Sequence, residues 1–379
     1  MKEKEFYLVN VGRLVFTRDF NKIFCSQNKY IVSAQVDKDY YFEMNGESMY
    51  YMLKGEEISY DFDYHSYKEK IVNAICARIS ECDGLLLHKS LVSDECDTQF
   101  RATNSAIRIL FCALLEGYSV KSELVSLINY QYNFYFPLMG GIWFPHDSSE
   151  YKGEFRKRQL KTNAYGKDKT NTVTLNTHLD SLNTLLLISS YCEEYKLNLR
   201  VDVDSLIGKA IIPIKHIFYK DNNHSAVSKI FQNIDTWFYK KSKKRSVWRN
   251  SLVKIYESAV HPILFKLIFP RMFFRSGYIA RDLAIRHRHA DYILPNAVDL
   301  ARFISLYEKR KDCSKDFVDD LKTYLSKTIS LIENLENLDI EYSMAWYHEL
   351  VNLAEALKIP IIKKSLRGES IKFNPFIVE

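Results

Sequence analysis

Near residue 66 the spacing of apolar side chains changes from about two to about 3.6 residues. It then stays helical, with one long interruption, to about residue 357. No other feature limits the fold as much, because each helical stripe must be buried against another element. Ile71, Ile75, Ile79 and Ala74 line one face, Ile107–Leu115 forms a second, and Ser122–Tyr132 continues it through Leu124, Leu127 and Ile128. The pattern resumes at Leu175–Tyr195, Ser205–Tyr219, Ala226–Phe238, Leu252–Leu267, Ala297–Tyr307, Phe317–Leu335 and Tyr342–Leu357. Pro213 and Pro262 are expected to kink or break two of these helices. Thr174 or Asn176 suits an N-cap, and Asn296 follows Pro295 at another helix start. Composition agrees, since 12 Gly and 8 Pro in 379 residues fall below half of the ordinary ~7% and ~5%. Turn-rich all-β folds and β/α barrels spend both residues freely. A chain that is 47% hydrophobic is also not a disordered one.

Ahead of the change, Phe6–Val11, Tyr30–Val36 and Tyr40–Met44 are short and β-branched or aromatic, as strands are. Asn45-Gly46 is a type I′ turn signal before Ser48–Leu53 and predicts a hairpin. The expected organisation is a small β segment over residues 1–64 packing on a helical domain over 65–379, with a long functional loop at about 136–173. The expected fold class is mainly α: an α/α-hairpin toroid, complete or incomplete, with a small N-terminal antiparallel β segment. No fixed-period repeat supports a solenoid.

A net charge of +6, from 53 basic and 47 acidic residues, is spread along the chain rather than gathered in a stripe. Nucleic acid is therefore not the expected partner. The run Lys240–Arg245 reads first as a solvated loop, with anionic lipid or a polyanionic glycan as its other partners. Pro262–Phe274 carries Lys266, Pro270 and Arg271 and reads as a buried helix end rather than a membrane-surface contact. Seven Cys form no CxxC pair, and Met1–Glu5 opens no apolar leader, so a reducing cytoplasm is the expected compartment. Walker A, GxGxxG, GxSxG and HExxH patterns are absent.

Candidate chemistry gathers in a few places. Gly140-Gly141 precedes Trp143, Phe144, Pro145, His146 and Asp147, where backbone approaches closely and flat rings stack on sugars as readily as they fill cores. In Thr174–Leu182, Asn176 and Asp180 share a helical face, Leu175, Leu179 and Leu182 form the core row, and His178 projects away from it near Ser181. Gly277, Tyr278, Arg281 and Asp282 precede Arg286, His287, Arg288, His289 and Asp291. His287, His289 and Asp291 lack a second ligand cluster, so no metal and no cofactor is expected; the Arg groups suit a carboxylate or phosphate instead. Asn296, Asp299 and Arg302 lie three apart and read equally as a capped, solvated face or a site. Trp346–Glu349 reads first as core packing, with a sugar-cleft rim as the alternative.

Thr174–Leu187 (TLNTHLDSLNTLLL) resembles the helix openings of α/α-toroid carbohydrate-active proteins. The resemblance is nearest to the C-terminal helical domain of glucuronyl epimerases, with toroid polysaccharide lyases sharing the shape. It covers about half the chain, and the His287–His289 run departs from it. It implies a carbohydrate-active enzyme acting on an acidic sugar or uronate-containing bacterial surface glycan, by epimerisation or β-elimination, with an acidic oligosaccharide or polysaccharide as partner. On that plan His178, Tyr278 and His146 are acid/base candidates and Arg281 meets the substrate carboxylate. Trp143, Asn176, Asp180, Asp282, His287, His289 and Asn296 would line the substrate site. A glycoside hydrolase on the same scaffold would draw its carboxylates from Asp147, Asp180 and Asp282. A non-catalytic helical interaction protein is the alternative from another class.

Overall fold

The computed structural model describes residues 6–10, 13–17, 64–81, 88–89, 96–98, 100–146, 173–222, 255, 272–273, 277–280, 293–334, 340–361 and 375–376. This part of the chain is mostly helical, with small two-stranded antiparallel sheets. The helices are α1 (Tyr64–Glu81), α2 (Phe100–Leu115), α3 (Lys121–Gln131), α4 (Leu175–Ser189), α5 (Val203–Asn222), α6 (Ile293–Tyr307), α7 (Lys315–Glu333) and α8 (Ile340–Ala356). Strands β1 (Phe6–Asn10) and β2 (Arg13–Thr17) pair antiparallel and lie against α8. The expected strand at Phe6–Val11 is thus present, while the hairpin around Asn45-Gly46 lies outside the described residues. Strands β3 (His88–Lys89) and β4 (Cys96–Asp97) form a second pair.

Part of the expected loop is structured. Strands β5 (Phe136–Leu138) and β6 (Gly141–Trp143) form a hairpin in the register Phe136↔Trp143 and Leu138↔Gly141. Met139 and Gly140, at φ 50° and 80°, make its tight link. Gly141 has no room for a side chain, because a Cβ there would stand 2.2 Å from the Lys209 carbonyl oxygen and 2.7 Å from Pro213 Cδ. Pro213 sits mid-way along α5, which neither breaks nor ends there. Having no N–H, Pro213 leaves the Lys209 carbonyl without its helical donor, and β6 crosses α5 at that weakened turn.

Helices α2, α4, α6 and α8 pack in sequence, each on the next, while α3, α5 and α7 each pack on the helix just before them. The front helices are enclosed. Every residue from Leu175 to Ile188 in α4 and every residue of α6 is buried, as are Phe100 and Ala102–Ala113 in α2. A helix buried all round must be apolar all round or must pair its polar groups internally. By contrast α7 is amphipathic, with Phe317, Leu321, Tyr324, Leu325 and Ile332 inside and Asp319, Asp320 and Lys327 outside. Phe218 of α5 meets Phe273, Phe317 and Tyr324 edge-to-face, with ring centroids 5.4–5.8 Å apart, and so ties α5 to α7. No helix among the described residues is long and apolar enough to cross a membrane.

Gly277 carries a firm prediction. Its φ is +86°, and a Cβ would lie 2.5 Å from the Lys327 carbonyl group. Gly277→Ala is expected to lose at least about 2 kcal/mol, because backbone strain and overlap with a helix backbone act together. Urea unfolding with an unchanged slope and a lower midpoint is the expected readout.

Candidate functional site

The enclosed helices carry polar side chains in rows. Arg101, Asn104 and Arg108 on α2 are spaced three and four apart, as are Asn176, Asp180, Asn183 and Thr184 on α4. Asp299 and Arg302 meet them from α6, and Glu349 of α8 meets Arg302. Asp180 is the hub. Its Oδ1 accepts from Arg108 Nη1 at 3.0 Å, its Oδ2 accepts from Asn104 Nδ2 at 2.8 Å, and Arg302 Nη1 stands 3.7 Å away. Asn104 Oδ1 in turn accepts from Gln131 Nε2 and lies 2.8 Å from the Tyr132 hydroxyl. Arg108 also donates to Thr184 Oγ1 at 2.6 Å.

A second centre forms one turn away. Arg101 Nη1 donates to Asp299 Oδ2 at 2.6 Å and to the Asn176 carbonyl at 2.9 Å, so it joins the first turn of α4 to α6. Asn183 Nδ2 donates to the Asp299 carbonyl at 2.9 Å. Arg302 makes a two-pronged pair with Glu349 at 2.6 and 2.7 Å. Trp346 and Phe376 cover the guanidinium groups: Arg101 and Arg302 lie over Trp346 at 5.7 and 6.0 Å, and Arg302 lies over Phe376 at 4.3 Å. The cluster is nearly enclosed: the side chains of Arg101 and Glu349 keep 13% and 16% of their surface, and those of Asp180 and Asp299 keep none.

Three guanidinium groups and three carboxylates balance in charge, yet some acceptors stay unmatched. Asp299 Oδ1 accepts no hydrogen bond and has Arg302 Nη1 3.6 Å away. The side-chain oxygens of Asn176, Asn183 and Asn296 are also buried without a donor. For Asn183 and Asn296 the free end is fixed, because each Nδ2 donates to a backbone carbonyl, that of Asp299 and that of Ile279 respectively. Burial pushes the Asp299 carboxyl up to about 6, with the Asp180 charge adding to it while Arg101 and Arg302 pull the other way. Burial works to lower Arg101, but Asp299 and Asp180 outweigh it and hold its guanidinium above the usual value. Burial likewise raises the Tyr132 hydroxyl, with the Asp180 charge adding to it.

Residues expected to carry chemistry are placed as follows. Asn176 and Asp180 belong to the cluster, whereas Asn296 is buried on α6 with its Nδ2 on the Ile279 carbonyl. Asn296, Asp299 and Arg302 are buried and do not form a solvated face. His146 is half-buried at the entry to α2, where its carbonyl accepts from the Phe100 N–H at 3.0 Å, one residue before Arg101. Tyr278 is half-buried; its carbonyl accepts from the Tyr324 hydroxyl at 2.7 Å, and the next residue, Ile279, is the one held by Asn296. Asp147, Arg281, Asp282, His287, His289 and Asp291 lie outside the described residues.

His178 and Trp143 require correction. His178 does not project toward a cleft: it is fully buried on the side of α4 opposite Asp180, facing α5 and β6. Its Nδ1 accepts the Phe144 N–H at 3.1 Å, which leaves the proton on Nε2, 3.0 Å from the Ala210 carbonyl. Burial lowers its pKa to about 3, although the Ala210 contact opposes this. With both ring nitrogens held by backbone, it has no lone pair for a substrate proton. Trp143 is no sugar platform either, since its ring is wholly buried and stacks on His178 at 3.9 Å between centroids. Thr174 does precede α4, in extended conformation, but its side chain makes no capping bond. Trp346 is buried, as core packing requires.

Sequence reasoning missed Arg101, Asn104 and Arg108. The signal was present as three polar residues at i, i+3 and i+7 inside an otherwise small and apolar stretch. No protein-family model, curated protein or solved structure matches the chain.

Proposed function

We propose that the chain is an α/α-toroid carbohydrate-active enzyme that acts on an acidic sugar, with the Arg101–Asp299 end of the buried cluster as its site. The carrying observation is the bridge from Arg101 to the Asn176 carbonyl and to Asp299. It draws the first turns of α2 and α4 to the second turn of α6, beside acceptors that have no donor. The row α2–α4–α6–α8, backed by α3, α5 and α7, supports the toroid reading. The N-terminal turns of α2 and α4 and a guanidinium favour a carboxylate there. The unmatched amide and carboxyl oxygens suit the hydroxyl groups of a sugar.

The chemistry follows from Asp299. A carboxyl with a pKa near 6 can take and return a proton near neutral pH. It would remove the proton on the carbon next to a uronate carboxylate, and Arg101 would stabilise the enediolate that develops. Return of a proton to the opposite face completes epimerisation, whereas expulsion of the 4-substituent completes β-elimination. Tyr278 and His146 are the candidates for the second proton carrier.

The test is solvent deuterium incorporation at that carbon of a uronate oligosaccharide; an active enzyme that never exchanges the proton sinks this mechanism. The charge balance of the cluster favours a second reading, in which it only holds the helices of an interaction protein together. Asn176→Leu tests the placement of the site. Removing an acceptor that has no donor should leave stability within about 1 kcal/mol, while substrate turnover falls by about tenfold or more if the acceptor meets a sugar hydroxyl. Unchanged turnover in that variant would mean that the acceptor meets no sugar hydroxyl, whereas a wild-type chain that turns over no acidic glycan would favour the interaction protein.

A further inference from the structure

Ion pairs tie the four front helices together, through Arg108–Asp180, Arg101–Asp299 and Arg302–Glu349. Part of what covers their guanidinium faces belongs to no helix. Pro375 and Phe376 form a turn beyond α8, and both are buried. The Phe376 ring is fully enclosed against two of the cations, with Arg302 4.3 Å and Arg108 5.6 Å from its centroid. These are the two cations at Asp180, so one ring links α6 to α2 over the hub of the cluster. Its carbonyl accepts from Ser305 Oγ at 2.6 Å, one turn of α6 beyond Arg302. The two kinds of contact differ in what breaking them costs. Parting the helices leaves buried charges without partners. Moving the turn away keeps all three ion pairs, and gives up a ring on cation faces and a hydrogen bond from a neutral hydroxyl.

We infer that the Pro375–Phe376 turn is an autoinhibitory plug: seated, it closes the polar cluster, and its release opens the cluster with the ion pairs left in place. The enclosure of Asp180 and Asp299, whose side chains keep none of their surface, is then the closed state of the site. The occupant that takes the place of the ring is an acidic sugar, and this part rests on the acidic-sugar reading above. A pyranose is a six-membered ring like the phenyl group, and two guanidinium groups at that place attract its carboxylate. The affinity measured for such a ligand is lowered by the small fraction of chains that are open.

The experiment uses the full chain with Ser305→Cys, Ser305→Ala and Phe376→Ala. Ser305→Cys puts a thiol against the Phe376 carbonyl, on a buried stretch of α6. Its reaction with a thiol reagent, located by mass spectrometry of that peptide, reports release of the turn. Below the unfolding transition, labelling should depend on urea much less steeply than global unfolding does, because only a local contact opens. A saturating glucuronate-containing tetrasaccharide should speed the labelling, since a ligand that binds the open form populates it. The affinity for that tetrasaccharide should rise about fivefold in Ser305→Ala, where loss of one hydrogen bond enlarges the open fraction. It should rise about tenfold or more in Phe376→Ala; Ser305→Ala carries the test should Phe376→Ala fail to fold. Labelling with the full urea slope of global unfolding overturns the plug. So does a tetrasaccharide that binds the wild type but slows the labelling, or whose affinity falls or stays unchanged in Ser305→Ala. A wild-type chain that binds no acidic sugar, while Ser305→Cys is labelled with the shallow slope, overturns the acidic-sugar reading and leaves the plug supported.

Discussion

Asp180→Leu is expected to destabilise the protein by about 3–5 kcal/mol, the cost of removing one partner from a buried ion pair. Asp180 is fully buried and receives Arg108 and Asn104 directly, with Arg302 close by. Its loss takes from the buried Arg108 guanidinium the carboxylate it bonds at 3.0 Å. The double variant Asp180→Leu, Arg108→Met provides the control, because replacing both partners with apolar groups of similar volume is often nearly neutral. Chemical unfolding of the two single variants and the double should give a coupling of more than about 2 kcal/mol. A single-variant loss below about 1 kcal/mol would mean that the pair is solvated rather than buried.

The sequence carried the helices because their apolar spacing survives wherever one face meets solvent. On α7 the expected Phe317–Leu335 and the observed Lys315–Glu333 differ by two residues at each end. Helix α2 was legible only from Ile107 onward, although it begins at Phe100. Its opening stretch Phe100–Arg108 contains Arg101, Asn104, Ser105 and Arg108, and polar residues facing a buried partner erase the stripe that periodicity detects. Asn296, Asp299 and Arg302 were visible as a spacing. Whether such a row faces water or Asp180 depends on which helix lies opposite, and that is a tertiary fact. The hairpin Phe136–Trp143 was hidden for another reason, since three-residue strands are too short to show an alternation. Pro213 signals a break by local rules, but α5 continues because β6 and the packing around it compensate for one lost hydrogen bond.

His178 shows how one residue type in one sequence context supports opposite roles. Beside Asp180 in a polar helix start it suggests an acid/base, yet two residues of separation on a helix turn it about 200° away, toward Phe144 and Ala210. Its neutral ring is part of the core, and that makes its effect on stability large and pH-dependent. The unfolded chain binds a proton at the ordinary histidine value of 6.5, whereas the folded ring does so only at about 3. Stability is therefore present in full above pH 6.5 and is lost as pH falls toward 3, at about 1.4 kcal/mol per pH unit. Asp299 acts with the opposite sign: its folded value of about 6 exceeds its ordinary 3.8, so its burden eases as pH falls through that interval. The acid response of the wild type is then partly flattened between those values.

Comparison with His178→Leu isolates the histidine, because Asp299 is common to both proteins. At pH 7.5 the variant should lose about 2–4 kcal/mol, since the Phe144 N–H loses its acceptor and Trp143 its stacked partner. That deficit should shrink by about 1.4 kcal/mol for each unit below pH 6.5, and near pH 4 the variant should match or exceed the wild type. A deficit that stays constant from pH 7.5 to pH 4 would show that the His178 ring takes up a proton in the folded protein as readily as in the unfolded one, and that it is not the sealed, neutral wedge between β6 and α5.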